Sequence, residues 1–155
     1  MKKTIKTLLI FSILFIGTFS FAGMDYQKGF MYYKKGIKLL KSGNELKGQA
    51  LLKKALEKFL KVYETKKDSA ILNYYIGQIY FNGWGTKKDP EKALKYIKTA
   101  YENGTDKAAC ELLLIKKELH YPDIEIRNLF DKINKHAEIK AYCERNYPKK
   151  FSLLK

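Results

Sequence analysis

The sequence lacks the motifs by which common hydrolases and metal sites are identified. It contains only two cysteines and two histidines, and neither histidine stands at a useful ligand spacing from a cysteine. The strings Gly-x-Ser-x-Gly and His-Glu-x-x-His do not occur. One Ser-x-x-Lys string runs from Ser152 to Lys155, but it lies in a basic tail that we expect to be frayed. The sequence therefore predicts no catalytic residue and no metal site.

Acidic residues are also scarce, because 16 Asp and Glu stand against 31 Lys and Arg, for a net charge of +15. The acids Asp89 and Glu91, like Asp123 and Glu125, are two positions apart, a spacing that separates side chains on a helix. These spacings therefore do not predict two carboxyl groups that act together as general acid and general base. Two interpretations of the basic balance stay open. The surface contacts anionic lipid, cell wall or an acidic protein, or lysine is simply the common surface residue of this chain.

The N-terminal residues are typical of an export signal. Three lysines within residues 2–6 precede a mostly apolar, acid-free run over residues 8–19, and Ser20 and Ala22 are small residues where a signal peptidase cuts. This predicts a signal peptide at residues 1–22 and one domain at 23–155. The apolar run is shorter than the roughly 20 residues that a membrane anchor needs. We expect a periplasmic or secreted bacterial protein that is not integral to the membrane after cleavage and has no nucleic acid partner.

From residue 25 onward, apolar residues recur at intervals of three and four, which predicts an all-α fold. Short polar or glycine-containing breaks predict helices over about residues 25–41, 45–63, 69–81, 90–103, 106–119, 123 onward and 137–146. Asp89 is expected to cap the fourth helix, with Pro90 in its first turn. Gly104 is expected to end that helix in the left-handed conformation.

Small residues recur at matching positions in the first two helix pairs. Gly36 is followed by Gly48, Leu52 and Ala55, and Gly77 is followed by Ala93, Ile97 and Ala100. Glycine inside a helix costs about 1 kcal/mol relative to alanine, so a structural reason is expected. Small side chains let two helices approach closely. We therefore expect these positions at helix contacts within each pair.

The stretch from Leu72 to Ala109 resembles one complete Sel1 repeat, a variant of the tetratricopeptide repeat. The resemblance rests on Tyr74, Ile76-Gly77, Tyr80, Gly83-Trp84-Gly85, Asp89, Lys92-Ala93, Tyr96, Lys98, Ala100 and Gly104. The pair from Tyr32 to about Leu60 instead has the turn length of an ordinary tetratricopeptide repeat, with Lys35 where an apolar residue is usual. The third pair is degenerate, as a capping repeat is.

The resemblance implies a short right-handed α-solenoid of about three helix pairs plus a C-terminal helix. It also implies an adaptor that binds a protein or peptide partner in the cell envelope, without a cofactor. The alternative is a penicillin-binding or weak beta-lactam-hydrolysing protein of the kind found among exported, cysteine-rich relatives. Those relatives repeat a cysteine pair in each unit. Here Tyr101 stands where the first cysteine is expected, and only Cys110 fits.

The two cysteines, Cys110 and Cys143, each share a helical stripe with apolar residues and are expected to point inward. An even count in an exported protein favours a disulfide between them. Two buried free thiols, or a metal site with His120 or His136, are the alternatives.

The aromatic residues supply the candidate partner-binding positions. Tyr33, Tyr74 and the polar Gln78 fall on the first helices of their pairs, and Trp84 falls in the turn that follows. Tyrosine offers rigid contact area with a polar tip, which suits a peptide or glycan. The opposing interpretation is that these rings pack in the core or between repeats.

Overall fold

The chain is described by a computed structural model that covers the backbone of residues 2–153 and the side chains of residues 22–153. This part of the chain is helical and contains no strand. Its helices are α1 (Lys2–Lys41), α2 (Glu45–Tyr63), α3 (Ala70–Asn82), α4 (Pro90–Glu102), α5 (Ala108–Glu118), α6 (Asp123–Asn134), α7 (Ala137–Asn146) and α8 (Pro148–Ser152). The predicted all-α class is therefore confirmed. The predicted export signal lies, up to residue 21, outside the described side chains.

The predicted helices correspond to α1 to α7, and the bounds of α2 and α7 are as expected. The frayed C-terminal tail is a wrong prediction, because residues 148–152 form α8. Phe151 in α8 is 0% exposed, and its ring centroid lies 5.5 Å from that of Phe130. Burial of this one ring holds the short helix in place. Over residues 22–153, whose side chains the structure describes, no helix combines the length and the apolar character that crossing a membrane requires.

The chain divides into two compact units, and the first, residues 1–65, contains α1 and α2. These two helices pack against each other through small residues. A Cβ atom added to Gly36 would lie 2.6 Å from Leu52 Cγ, and one added to Gly48 would lie 2.7 Å from Leu40 Cδ2. Cβ atoms almost never come this close to another carbon, so a larger residue at either glycine would force the leucine side chain to shift. The expectation that small residues mark the helix contacts is confirmed in this unit.

The second unit, residues 66–155, contains α3 to α8. Gly77 of α3 lies against Ile97 of α4, whose Cγ1 and Cδ1 atoms would be 2.6 Å from an added Cβ. The helix α5 is central, because every residue from Ala108 to Ile115 is buried. The largest fully buried side chains of this unit come from five different helices: Leu72, Ile76, Ile79, Phe81, Ile97, Glu111, Leu113, Ile115, Ile133 and Phe151. One of these side chains, Glu111, is a carboxylate.

The turn between α3 and α4 is fixed by its glycines and by the start of α4. Gly83 and Gly85 both have φ of +68°, a conformation that glycine adopts without strain. The Asp89 backbone N–H donates to the carbonyl of Tyr80 at 3.0 Å, which closes the turn. Asp89 Oδ1 accepts from the Lys92 backbone N–H at 2.9 Å, and Pro90 occupies the first helical position. The predicted cap of α4 is confirmed.

Replacing Asp89 by alanine is expected to lower the free energy of unfolding by about 1 kcal/mol, because the Lys92 N–H loses its partner at the positive end of α4. Urea denaturation followed by circular dichroism measures this loss. Glu91→Ala is the matched control, since Glu91 is also acidic and lies in the first turn but forms no capping bond. Equal stability of the two variants would contradict the assigned role of the cap.

Candidate functional site

The structure divides the four predicted partner-binding residues into two classes. Tyr33 and Trp84 are partly exposed, and the Tyr33 ring packs against Phe59 with centroids 6.3 Å apart. Tyr74 and Gln78, in contrast, are each only 6% exposed. This burial favours the alternative that Tyr74 and Gln78 pack in the core, because their polar atoms form hydrogen bonds inside the protein.

Tyr74 and Gln78 belong to a buried polar cluster centred on Glu111 of α5. Glu111 is 0% exposed, and four side-chain atoms lie within hydrogen-bond distance of its Oε1. Gln78 Nε2 lies at 2.8 Å, and the hydroxyls of Tyr74, Tyr142 and Tyr147 each lie at 3.0 Å. We call this set, Tyr74, Gln78, Glu111, Tyr142 and Tyr147, the Glu111 cluster. It connects α3, α5 and the C-terminal end of α7.

The available protons decide how these bonds are shared. Each tyrosine hydroxyl donates only one proton, and the hydroxyls of Tyr74 and Tyr142 are themselves 2.6 Å apart. One of these two protons must occupy that short contact, so only one of the two hydroxyls donates to Glu111. Oε1 then accepts from Gln78, from Tyr147 and from one of the other two tyrosines. Oε2 is buried and has no hydrogen-bond partner among the described residues.

Burial controls the protonation of the Glu111 cluster. Removal of the carboxylate from water raises the pKa of Glu111, while the hydrogen bonds from Gln78, Tyr147 and Tyr142 act in the opposite direction. The pKa of Tyr74 and that of Tyr147 are also raised, first by burial and then by the nearby charge of Glu111. The tyrosines therefore stay protonated and act as donors. Because Glu111 is fully enclosed, a substrate cannot reach it without opening the unit.

The two cysteines lie together beside this cluster. Cys110 and Cys143 are both 0% exposed and are free thiols in this structure. The neighbouring Cys143 thiol and burial raise the pKa of Cys110, which is the opposite of what an activated nucleophile needs. The predicted inward orientation is confirmed, and the disulfide stays a prediction that this proximity makes testable.

Oxidation is expected to join Cys110 to Cys143 and to raise the free energy of unfolding by about 3 kcal/mol, because the bridge closes a loop in the unfolded chain. Mass spectrometry after alkylation of the unfolded protein counts the free thiols, and denaturation with and without reductant measures the stability. In Cys143→Ala the reductant should have no effect. Two freely alkylated thiols in protein isolated from an oxidising compartment would contradict the bridge.

A groove of about 510 Å3 lies among α4, α5 and α6 of the second unit. Its apolar lining comes from Leu94, Leu112 and Leu129, and charged groups are also part of the lining. The lining acids are neutralised within the unit, since Lys116 pairs with Glu125 and Lys98 Nζ lies 3.8 Å from Glu102 Oε1. This groove is apolar with mixed charge, as many protein contact surfaces are.

One feature of the sequence indicates the Glu111 cluster, although Glu111 was not among the predicted site residues. Glu111 is a single acid within an apolar run from Ala108 to Ile115, and a carboxylate in that position must either be exposed or find donors. The donors come from residues 31 to 37 positions away, so periodicity alone could not identify them.

In the described part of the chain, no group of three or more His, Cys, Asp or Glu could hold a metal ion.

Comparison with known families adds one finding. The family model described as Sel1 repeat matches residues 13–39 and 71–105. The second match coincides with the repeat expected from Leu72 to Ala109, while the first begins upstream of the unit expected from Tyr32. Neither the search of curated proteins nor that of solved structures found a match.

Proposed function

We propose that this chain, which carries Sel1-like repeats, is an exported adaptor that binds a segment of another protein in the cell envelope. The Sel1 matches carry this proposal, because Sel1 repeats generally mediate protein–protein interaction. The apolar groove of mixed charge among α4, α5 and α6 supports it. Export is supported by the sequence of residues 1–22, in which three lysines precede an apolar run and small residues.

Hydrolysis of beta-lactams is less well supported by the described residues. A thiol nucleophile needs exposure and a lowered pKa, whereas Cys110 is enclosed and the pKa of its thiol is raised. The buried carboxylate of Glu111 is likewise closed to a substrate. Turnover of a chromogenic cephalosporin by the purified protein, abolished by a single substitution, would replace the adaptor proposal with an enzymatic one.

Export is tested by expressing the full chain in a bacterium and sequencing the N-terminus of the protein recovered outside the cytoplasm. The expected mature protein begins at Gly23. A protein that stays in the cytoplasm with residues 1–22 attached would overturn the envelope assignment.

Partner binding is tested by cross-linked pull-down from an envelope extract, using the mature protein. Tyr74 is not a suitable position for substitution, since it is buried and its loss would disturb the fold. Tyr33→Ala and Trp84→Ala replace partly exposed rings and are expected to reduce capture of the partner. Tyr63→Ala is the matched control, because Tyr63 is a partly exposed tyrosine of α2 outside the predicted positions. If the wild-type protein captures no protein specifically, the adaptor proposal fails.

A further inference from the structure

The outer face of α1 in the first unit combines apolar rings with lysines of uncompensated charge. A groove of about 760 Å3 runs along residues 26–42. Its apolar lining consists of Tyr26, Phe30, Met31 and Leu39, and its charged lining consists of Lys34, Lys35 and Lys38. We call this surface the α1 basic face. It contains no acidic side chain.

The absence of acid on this face follows from the sequence of α1. Asp25 is the only acidic residue in the helix, and its carboxylate points toward α2. There Oδ1 lies 2.7 Å from Lys58 Nζ and Oδ2 lies 2.9 Å from Lys61 Nζ. These pairs lower the pKa of Asp25 and leave no carboxylate for the opposite side of the helix.

The lysines of the α1 basic face are exposed and form no ion pair with a described carboxylate. Lys34 Nζ lies 5.5 Å from the centre of the Phe30 ring, and that ring stacks on Tyr26 with centroids 6.4 Å apart. Met31 beside them is 55% exposed. An exposed apolar side chain beside partly exposed rings and uncompensated cations is typical of a binding surface.

On these contacts we propose that the α1 basic face binds an acidic amphipathic segment of a partner protein. Apolar side chains of that segment would contact Phe30, Met31 and Leu39, while its Asp and Glu side chains would pair with Lys34, Lys35 and Lys38. The face extends for about 24 Å along α1, so a helix of about four turns matches it. This inference rests on the proposed adaptor function and names the chemistry of the partner.

Charge argues against a second copy of this chain as the occupant of the α1 basic face. A second copy of this chain carries a net charge of +15, so its approach to three lysines is electrostatically unfavourable. The groove among α4, α5 and α6 differs from the α1 basic face, since two of its lysines, Lys98 and Lys116, already have acidic partners in Glu102 and Glu125.

The test is selection from a displayed library of random segments of about 16 residues, long enough to cover the face as a helix, against the whole mature protein from Gly23 onward. Enriched segments are expected to combine Asp and Glu with Leu, Ile or Phe at helical spacing. Their Kd, measured by fluorescence anisotropy, is expected to rise roughly 10- to 100-fold in the triple variant K34E/K35E/K38E, because three attractive pairs become repulsive. Met31→Ala, which removes an exposed side chain, is expected to raise the Kd about 3- to 10-fold.

The matched control is K47E/K53E/K54E, which makes the same change in net charge at exposed lysines of α2. It should alter the Kd by less than about threefold at moderate salt, because surface charges away from the site are screened. A segment in which Glu is replaced by Lys should lose binding to the wild-type face and gain binding to K34E/K35E/K38E. Circular dichroism of every variant checks that the helices are retained.

Three results would overturn the proposal. Enriched segments whose binding is unchanged by K34E/K35E/K38E would place the contact elsewhere. Tighter binding to phosphatidylglycerol vesicles than to any segment, lost in the same variant, would assign the face to a membrane surface. Dimerisation through the face, observed by sedimentation, would assign it to a second copy. In the first case the envelope partner would still be captured, so the adaptor function would stand while this surface assignment failed.

Discussion

Replacement of Glu111 by alanine is expected to lower the free energy of unfolding by about 4 kcal/mol, since several buried donors lose their common acceptor at once. Gln78, Tyr147 and one of Tyr74 or Tyr142 all donate to Oε1, and water cannot replace that oxygen in a closed site. Chemical denaturation followed by circular dichroism measures the loss. Glu111→Gln keeps a carbonyl oxygen at the same place, so its free energy of unfolding is expected to fall by less than that of Glu111→Ala.

The pH dependence of stability distinguishes a buried carboxyl from simple packing. Burial raises the pKa of Glu111 above the ordinary value of 4.5, so the folded protein binds a proton more tightly than the unfolded chain. The free energy of unfolding should therefore fall as the pH rises above about 4.5 through the folded-state pKa. Glu111→Gln should remove this slope. An equal slope in both proteins between about pH 5 and 8 would contradict a raised pKa.

The carboxylates of Asp25 and Asp89 give the free energy of unfolding the opposite pH dependence, at lower pH. Ion pairs or capping bonds lower the pKa of Asp25 and that of Asp89 below 3.8. Their contribution is present above that value and is lost as the pH falls through their folded-state pKa. The slopes of the two classes therefore occupy different pH ranges, and Glu111→Gln changes only the upper one.

Replacement of Gly77 by valine is expected to cost about 3 kcal/mol through overpacking. An added Cβ would lie 2.6 Å from two Ile97 side-chain atoms and 3.1 Å from the Ile97 backbone nitrogen. The side chain of Ile97 can shift, but the backbone of α4 cannot move without separating the helices. Urea denaturation measures the expected loss.

Ala141→Val is the matched control for this substitution. Ala141 is exposed in α7 of the same unit, so valine there changes only helix propensity, at a cost of about 0.5 kcal/mol. A fold that tolerates valine at Gly77 as well as at Ala141 would contradict the close helix contact. The Gly77→Val, Ile97→Ala double variant should recover part of the loss, because it opens space where the clash occurs.

The sequence predicted the helices and the contacts between sequence neighbours because both depend on short-range pattern. Gly36, Gly48 and Gly77 were expected at close contacts, and each lies at one. The Sel1-like resemblance over residues 72–109 is confirmed by the match at 71–105. Asp89 caps α4 as its position before Pro90 indicated. The glycine contacts and the cap join residues at most 20 positions apart, within one helix or between neighbouring helices.

The predictions that failed depend on contacts between distant parts of the chain. Tyr74 and Gln78 were candidate partner-binding positions because they fall on a first helix, and core packing was the alternative. Their burial follows from the insertion of Glu111 and the return of Tyr142 and Tyr147, which no local pattern specifies. Phe151 was placed in a tail because its neighbours are lysines, but it joins the core of the second unit, where its ring lies beside that of Phe130. The disulfide, the export signal and the partner stay predictions for the experiments above.

The Glu111 cluster also sets an order of events for a chain that leaves the ribosome from its N-terminus. Its acceptor is on α5, but two of its hydroxyls, those of Tyr142 and Tyr147, are synthesised some thirty residues later. A nascent chain that ends after α6 would have to bury a carboxylate with only the α3 donors, which favours a loose intermediate. We therefore expect the second unit to remain susceptible to protease on stalled ribosomes until α7 has emerged, and to become resistant within the few residues that follow.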